Sequence, residues 1–455
     1  MSDPLRSVMH RAELRITLSL ASIFALRMFG LFMVLPVFAV YGTELSGSSP
    51  LLIGTAIGIY GLMQALLQIP FGLLSDRYGR RPLLLVGLLL FIAGGCVAAL
   101  SESIYGVIVG RSLQGAGAVA SVIMATIGDA VSEQHRTRAM AAVGMSVGAS
   151  FVLALILGPV LTSALGLSGL FWISSLMGVA AFVVAAMLPA SMPVQLEMPS
   201  ISQRFRRVLT DGTLWQLNIG ILVLHLVLTA MFVVLPQMLV RDVGLPVHQH
   251  STLYLGVLLG GIAAMVPLII RAERRGSLPV KRLALILLAV SLLMLAVVSQ
   301  QLWQFVVALL VFFAAFNLLE ALLPSMVSKA APAGARGAAM GVYSSHQFLG
   351  VFIGGQLGGA IYHWWGASIV FVAAAIAVLG WLMFIRNMAE LPKYESRVLS
   401  LQGTVNEQQL LQSLLKVSGV IEAVYLREQR IAVVKVDSEV VDQAALTALA
   451  GSAQT

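Results

Sequence analysis

The chain has 455 residues, of which 59% are hydrophobic and 11% are charged, and its mean hydropathy is +0.94. A soluble domain is nearer half apolar and a quarter charged, so the composition excludes an ordinary soluble protein. The formal net charge is +8, but we expect no nucleic-acid partner, because the positive residues lie in short loops between apolar runs. The single cysteine, Cys96, excludes a disulfide framework.

Apolar stretches of about 20 residues, the length that crosses a hydrocarbon core, follow one another along the chain. We predict twelve transmembrane helices, at about 16–41, 51–74, 82–100, 104–127, 137–163, 167–189, 213–240, 250–271, 281–299, 302–326, 336–362 and 367–387. The first run is too long for the core of a signal peptide, so we interpret it as a retained helix. The sequence therefore predicts an all-α polytopic membrane protein.

Lys and Arg are divided unequally between the loops on the two sides of the predicted bundle. One side carries basic loops near 77–81, 136–138, 204–207 and 271–282, whereas the loops on the other side hold only Arg241. Basic loops stay in the cytoplasm. Because an even number of helices returns the chain to the same side, both termini are predicted to be cytoplasmic.

The second part of the chain repeats the first weakly. The matches pair Pro70, Asp76, Arg77, Gly79 and Pro82 with Pro267, Glu273, Arg274, Gly276 and Pro279; Arg136, Ala139 and Met140 with Arg336, Ala339 and Met340; and 32–36 with 232–236. The three groups of matches occur in the same order along the chain and at nearly the same sequence offset, which predicts two homologous six-helix halves. We place them at 1–190 and 213–390, with a cytoplasmic linker at 191–212.

The turn between the second and third helices concentrates charge in ten residues. Its sequence at 72–81 is Gly-Leu-Leu-Ser-Asp-Arg-Tyr-Gly-Arg-Arg, and its candidate functional residues are Gly72, Asp76, Arg77, Gly79, Arg80 and Arg81. Gly72 is expected to let two helices approach, and Gly79 to permit the tight turn. Asp76 is a carboxylate among arginines that stabilise it.

The pattern Gly-x-Leu-x-Asp-Arg-x-Gly-Arg-Arg resembles the signature loop of the major facilitator superfamily. The resemblance implies that Asp76 faces the start of helix 11 and that Arg80 pairs with the acid at the end of helix 4, here Asp129. In the family, such pairs hold the two halves together on the cytoplasmic side and favour the outward-open state. The alternative is a basic turn that only sets the topology.

Two further stretches resemble motifs of the same family. Arg111, in the sequence Arg-Ser-Leu-Gln-Gly-Ala-Gly-Ala, matches the helix 4 motif that is linked to proton coupling. A central arginine costs about 2.5–3.5 kcal/mol to insert, so it needs a partner or a wet cavity; the alternative role is a structural donor to backbone carbonyls. In helix 5, the antiporter motif is matched in part, by Gly144, Gly148, Gly158 and Pro159. The small residues are expected to allow close helix contact and a bend.

Few other ionisable groups lie within the predicted helices. They are Arg27, His225, Glu320 and His346. Glu320 suits a reversible proton carrier, because burial disfavours its charged form, and Asn317 lies on the same helix face. The alternative is a permanent ion pair with an arginine. His225 either titrates or is a satisfied neutral histidine. Arg27 either binds an anionic group of the substrate or balances Glu320.

Some aromatic and histidine residues remain open to two interpretations. Tyr60, Phe316, Tyr343 and Phe348 either line a central cavity or pack as ordinary core residues. The histidines at 248 and 250 either form a two-histidine metal site or lie in a solvated loop.

The segment 391–455 is polar, and its apolar residues alternate. We predict a strand at 397–401, a helix from the cap Asn406 to about Val417 that ends at Gly419, strands at 420–426 and 431–436, and a helix from about Asp442. This order is that of a cytoplasmic α+β ferredoxin-like domain without its last strand. It resembles the small domain of YajR-type transporters, and also heavy-metal-associated domains, whose Cys-x-x-Cys is missing from this sequence.

The sequence lacks a Gly-x-x-x-x-Gly-Lys-Ser/Thr loop, so ATP is not the expected energy source. We expect neither an enzyme nor a cofactor or metal. The resemblance implies a secondary transporter of the drug:proton antiporter type in the bacterial inner membrane, with the bilayer, protons and a small amphipathic substrate as partners. The alternatives are a proton-coupled importer or sugar-type exporter on the same fold, and a membrane sensor that signals through its C-terminal domain.

Overall fold

A computed structural model of the protein describes residues 9–189, 201–298, 301–332, 335–390, 394–400, 407–426, 431–437 and 440–452. The predicted cap Asn406, the turn at 427–430 and the linker residues at 191–200 lie outside the described residues. We call residues 9–189 the first half and residues 212–390 the second half. The end of the bundle that holds the 72–81 turn is called the arginine-rich end.

Helices make up most of the described chain. They are α1 (Arg11–Phe32), α2 (Phe38–Tyr41), α3 (Pro50–Tyr78), α4 (Arg80–Leu100), α5 (Ile104–Ala116), α6 (Val119–Ala130), α7 (Glu133–Ala186), α8 (Ile201–Thr210), α9 (Gly212–Arg241), α10 (His250–Arg275), α11 (Ser277–Val297), α12 (Leu302–Ala330), α13 (Arg336–Trp365), α14 (Ala367–Phe384), α15 (Glu407–Leu415) and α16 (Gln443–Ser452). The strands are β1 (Tyr394–Ser400), β2 (Val420–Leu426) and β3 (Ile431–Asp437).

Ten helical stretches in the described part of the chain are long and apolar enough to cross a membrane, so this is a membrane protein with several spans. The number differs from the predicted twelve for two reasons. First, α7 runs through both predicted helices at 137–163 and 167–189. Second, α13 has the length of a span, but its many glycines and polar residues make it less apolar. The predicted fourth helix is also interrupted, between α5 and α6, where Gly117 packs against the backbone of Gly87.

The weak sequence repeat is also visible in the backbone. Gly79, before α4, has φ 94° and ψ 151°, and Gly276, before α11, has φ 99° and ψ 150°. Gly166 interrupts α7 at φ 70° and ψ −179°, and Gly366 separates α13 from α14 at φ 82° and ψ −179°. Glycine tolerates these conformations because it lacks a Cβ atom. The bend within α7 therefore matches a true helix junction in the second half.

The two halves meet along a seam of glycines between α3 and α13. A Cβ atom on Gly54 would overlap the carbonyl oxygen of Gly355, and one on Gly61 would overlap that of Phe348. Small residues allow this backbone-to-backbone approach, as is common between membrane helices. Toward the arginine-rich end the helices are less closely packed, since a Cβ atom on Gly337 would meet no atom within 4 Å.

Polar contacts close the bundle at the end opposite the arginine-rich end. The Gln237 side chain donates a hydrogen bond of 2.7 Å to the carbonyl of Ala39 in the other half. Tyr362 donates to Gln237 at 3.0 Å, and Thr55 donates to Gln356 across the seam at 3.2 Å. Because both Gln237 and Ala39 are buried, these contacts seal this end of the structure.

The C-terminal residues form a separate small unit. Its elements follow in the order β1, α15, β2, β3, α16, and the antiparallel sheet has the strand order β1-β3-β2. Alternate residues of β3, including Val434 and Val436, pack under the helices. On the other face of β3, Lys435 donates to the carbonyls of Ala330 and Ala331 at 3.2 and 3.0 Å.

This contact joins the small unit to the second half. The Lys435 side chain is buried and satisfies carbonyls at the C-terminal end of α12, where a cation is favoured. A second contact joins Arg207 of α8 to Glu422 of β2 at 3.6 Å. It contributes little, because Arg207 is largely exposed.

Gly276→Ala should lower the free energy of unfolding by about 1–3 kcal/mol, because a residue with a Cβ atom is strained at this φ and ψ. The measurement is the thermal unfolding of purified protein in detergent. The control is Gly337→Ala, which lies within a helix with open space around it. Equal melting temperatures for the two variants would contradict the assigned turn.

Lys435→Met should weaken the docking of the small unit by about 1–3 kcal/mol, because the α12 carbonyls lose their donor while the apolar stem is kept. Hydrogen exchange of the amides in β3 and at the end of α12 should become faster. Lys416→Met, at an exposed lysine of the same unit, is the control. Unchanged exchange in the Lys435 variant would show that the contact does not hold the unit in place.

Candidate functional site

Charged residues at the arginine-rich end form a compact network, which we call the turn cluster (Ser75, Asp76, Arg80 and Asp129). Arg80 donates from Nε to Asp129 at 2.7 Å and from Nη1 to Ser75 at 2.6 Å, and it also pairs with Asp76. Its side chain is only 6% exposed and that of Asp129 12%. Charge-assisted hydrogen bonds to a buried guanidinium are strong, and removing one partner leaves an uncompensated charge.

The local structure explains why these residues meet. Gly79 turns the chain between α3 and α4, so that Asp76 and Arg80 stand one helical turn apart across the junction. Asp129 lies in the last turn of α6, where the helix dipole disfavours a carboxylate. Arg80 supplies the compensating positive charge. The predicted pairing of Arg80 with Asp129 is therefore present in the structure.

Two predictions for this turn need correction, and one arginine has a partner that was not predicted. Asp76 was expected to face the start of helix 11, but among the described residues it pairs with Arg80, and a Cβ atom on Gly337, near the start of that helix, would meet no atom within 4 Å. Gly72 is not needed for close packing, since a Cβ atom there would lie at an ordinary 3.6 Å from Ser121. Arg81 donates to the carbonyl of Ala186 and so ties α4 to the end of α7.

Arg77 differs from the other arginines of the turn. It is exposed, and its guanidinium lies 5.4 Å from the centre of the Tyr78 ring. We assign it no place in the turn cluster.

A second group lies within the spans of the first half, and we call it the arginine–tyrosine cluster (Arg27, Tyr60 and Arg111). All three side chains are fully buried. Arg27 donates to Gln64 at 2.7 Å, and Arg111 donates to Gln114 at 3.2 Å. Both guanidinium carbons lie close to the Tyr60 ring, at 5.4 and 5.2 Å from its centre.

A third group lies in the second half, and we call it the glutamate–histidine cluster (His225, Glu320 and Gln347). Gln347 of α13 places its amide nitrogen 2.8 Å from Nε2 of His225 and 3.4 Å from Oε1 of Glu320. His225 Nε2 lies 3.9 Å from the second carboxylate oxygen. The Glu320 side chain is 37% exposed, so it faces space between the helices.

The histidine contacts indicate which ring nitrogen carries the proton. Nδ1 of His225 lies 3.3 Å from the carbonyl of Ile221, which can only accept a hydrogen bond. Nδ1 is therefore the donor, and Nε2 accepts from the Gln347 amide. A neutral His225 satisfies both contacts. Protonation would place a hydrogen on Nε2 and require the amide to turn its oxygen toward the ring.

The remaining predicted residues are only partly brought together. Asn317 lies one turn before Glu320 on α12, with its amide nitrogen buried and unbonded. His346 is not part of the cluster, because it contacts the Val342 carbonyl at 2.8 Å and the Trp215 ring. The alternative in which Arg27 balances Glu320 is not seen, since their hydrogen-bond partners lie in different halves.

The helix 5 glycines behave differently from one another. A Cβ atom on Gly158 would lie 2.9 Å from the carbonyl oxygen of Met33, so α1 and α7 approach closely there, next to Pro159. Gly144 and Gly148 were expected to make similar contacts, but nothing lies within 4 Å of a Cβ atom on either. The correction follows from their position toward the arginine-rich end, where this helix is less closely packed.

The sequence did not predict the positions of two amide side chains and one histidine. Gln64 and Gln347 link the charged side chains, and the only signal for them was an amide side chain within an apolar run. His250 was placed in a loop but is buried at the start of α10, where it contacts the Leu245 carbonyl at 3.1 Å. Within the described residues, no three His, Cys, Asp or Glu side chains gather as a metal site would require.

Comparison with known proteins assigns the family. The profile described as Major Facilitator Superfamily matches residues 20–272 and 217–421. The chain belongs to this superfamily. A superfamily relative, the inner membrane transport protein YajR of Escherichia coli strain K12, is 44% identical over 436 residues, which cover 95% of this chain and 96% of the relative.

Other similar proteins are more distant. The probable sugar efflux transporter of Pasteurella multocida strain Pm70 is 27% identical over 342 residues, which cover 73% of this chain and 82% of that protein. The crystal structure of the human organic anion transporter MFSD10 superposes with a TM-score of 0.62 at 20% identity and covers 83% of this chain and 100% of that one. This structural likeness shows the fold alone. The protein is thus a transporter of the major facilitator superfamily and not an enzyme.

Asp129→Ala should lower the free energy of unfolding by about 3–5 kcal/mol, because Arg80 would remain buried with only part of its counter-charge. The measurement is the melting temperature of the purified protein. Glu102→Ala is the matched control, because Glu102 is an exposed acid at the opposite end. Similar shifts in the two variants would remove the turn cluster as a stabilising network.

Proposed function

We propose that this transporter exports small amphipathic compounds in exchange for protons, by alternating access between its two halves. It would lie in the bacterial inner membrane, which is where the name of the YajR relative places that protein. The observation that carries the proposal is the glutamate–histidine cluster. It joins three helices of one half, and the Glu320 side chain is partly exposed, whereas its oxygen nearest His225 and the His225 ring are buried.

We place the arginine-rich end and both termini in the cytoplasm, because the basic loops favour that side. The proposal counts twelve spans, with α7 crossing twice around Gly166 and α13 crossing once. The functional units are the halves at 1–190 and 213–390, the linker at 191–212, and a ferredoxin-like domain at 391–455. The strand order β1-β3-β2 supports this last assignment.

With this orientation, the structure is closed on the outer side by Gln237 and by the glycine seam. The opposite state requires the arginine-rich end to close. We propose that Asp76 then leaves Arg80 and binds the N-terminal end of α13, where a carboxylate is favoured. Arg80 would stay with Asp129, so the turn cluster would change one contact and keep the other.

The cluster suits proton transfer because it can redistribute hydrogen bonds without moving helices. Glu320 has one oxygen near Gln347 and one with no hydrogen-bond partner. That second oxygen lies 3.9 Å from Nε2 of His225, so a small side-chain movement would bring a proton on it within reach of the ring once the Gln347 amide has turned away. The Gln347 amide can reverse to match each charge state. Arg111 in the first half is proposed to contribute to the cavity between the halves, and His346 and Asn317 are proposed to contribute to it from the second half.

Glu320→Gln should reduce the rate of proton movement at least tenfold while leaving the fold intact, because glutamine keeps the shape of glutamate but cannot bind and release a proton. The measurement is the internal pH of proteoliposomes, read by an enclosed dye, when amphipathic probes of negative, zero and positive charge are added. Glu102→Gln is the control.

Unchanged coupling in the Glu320 variant would remove that residue from the proton path. A probe that binds without any proton movement in the unmodified protein would overturn the antiporter proposal and favour the sensor. The direction of the probe gradient that drives protons separates exporter from importer.

A further inference from the structure

The arginine–tyrosine cluster presents more hydrogen-bond donors than the protein satisfies. Nε and Nη1 of Arg27, Nη2 of Arg111 and the hydroxyl of Tyr60 are buried and have no hydrogen-bond partner. All three residues are 0% exposed. Since a guanidinium offers only donors and stays charged in proteins, the missing partner must be an acceptor.

The acceptors that are present carry no charge. Arg27 donates to the amide oxygen of Gln64, and Arg111 donates to the Ala56 carbonyl at 3.3 Å and to the amide of Gln114. Gln114 in turn donates to Ser174 at 3.1 Å. Across the described residues, neither arginine forms an ion pair with a carboxylate. Two positive charges are therefore held in the membrane interior by neutral groups alone.

The acid in the other half does not supply the counter-charge. Glu320 is bonded to Gln347 on α13. Gln347 and the next residue, Phe348, face different clusters, since the Phe348 ring lies 6.3 Å from that of Tyr60. A buried charge without a partner is costly, and protein cavities that keep such charges use them.

We propose that the arginine–tyrosine cluster binds the anionic group of the transported compound, so that the substrates are amphipathic organic anions. The unpartnered donors, Nε and Nη1 of Arg27 and Nη2 of Arg111, suit the oxygens of a carboxylate, sulfonate or phosphate group, because hydrogen bonds between a guanidinium and an anion are charge-assisted. The rings of Tyr60, Phe91 and Phe348 would contact the apolar body. This inference rests on the proposed transport function and names its substrate class.

The geometry also explains how anion and proton would share one cavity. The anion site belongs to the first half and the proton site to the second, and α13 touches both through two consecutive residues. In an exchange cycle the anion and the proton occupy the cavity alternately, and α13 is the element that links their two sites. In the present conformation, Phe348 covers Tyr60, so binding requires the halves to separate at this point.

The test uses three probes of one shape and different charge: 2-naphthoate, 2-naphthamide and 2-naphthamidine. The thermal stability of the purified full-length protein is measured against the concentration of each probe at constant ionic strength. We expect 2-naphthoate to raise the melting temperature, and the neutral and cationic probes to leave it unchanged. Arg27→Gln or Arg111→Gln should weaken the apparent affinity for 2-naphthoate at least tenfold.

Arg15→Gln is the matched control, because Arg15 is an exposed arginine on the same helix as Arg27. Arg27→Lys keeps the charge but loses the planar fork, so its affinity should be intermediate; it also serves if a glutamine variant does not fold. Equal stabilisation by all three probes, no stabilisation by 2-naphthoate, or full affinity in the Arg27 and Arg111 variants would overturn the anion site.

The outcome is separable from that of the proposed function. Binding of 2-naphthoate without proton movement in proteoliposomes would keep the anion site and refute proton exchange. Proton movement driven by 2-naphthamidine but not by 2-naphthoate would keep proton exchange and refute the anion site.

Discussion

A charge within a hydrocarbon layer has no water to stabilise it, so the protein itself must supply its partners. This constraint organises the interior of the molecule. At the membrane surface, Arg80 meets two carboxylates and a hydroxyl. In the second half, Glu320 meets an amide and a histidine. In the first half, Arg27 and Arg111 meet only amides, carbonyls and aromatic rings, and this difference points to a ligand.

The turn cluster lies at the arginine-rich end of the first half, whereas the other two clusters lie within the spans, one in each half. The turn cluster is built within one half, with every described contact between residues 72 and 129. The closed end of the structure depends on contacts between the halves, such as that of Gln237 with Ala39. In the proposed cycle, opening that end breaks these contacts, while at the arginine-rich end Asp76 changes its partner and Arg80 stays with Asp129. Two states of similar energy are what alternating access requires.

The sequence predicts local features of this fold well. Residues 72–81 indicate the turn at Gly79 by their spacing, and the resemblance of this motif to the superfamily signature implied the pairing of Arg80 with Asp129. The strands and helices after residue 394 follow from alternation and glycine positions. Contacts between distant elements are different. The contact of Lys435 in β3 with the end of α12 depends on how distant elements are placed in space. So does the position of Gln347 between His225 and Glu320, because an amide in an apolar run does not reveal its neighbours. The bend at Gly166 was visible only as a gap between two apolar runs.

The glycine seam between α3 and α13 has a mechanical consequence. Where Gly54 and Gly61 meet α13, the nearest atoms are carbonyl oxygens of the main chain, which have no rotamers to rearrange. One helix can therefore tilt on the other with little change in contact along the line from Gly54 to Gly61. A rocking motion about this line would leave the middle of the molecule sealed to ions while either mouth widens.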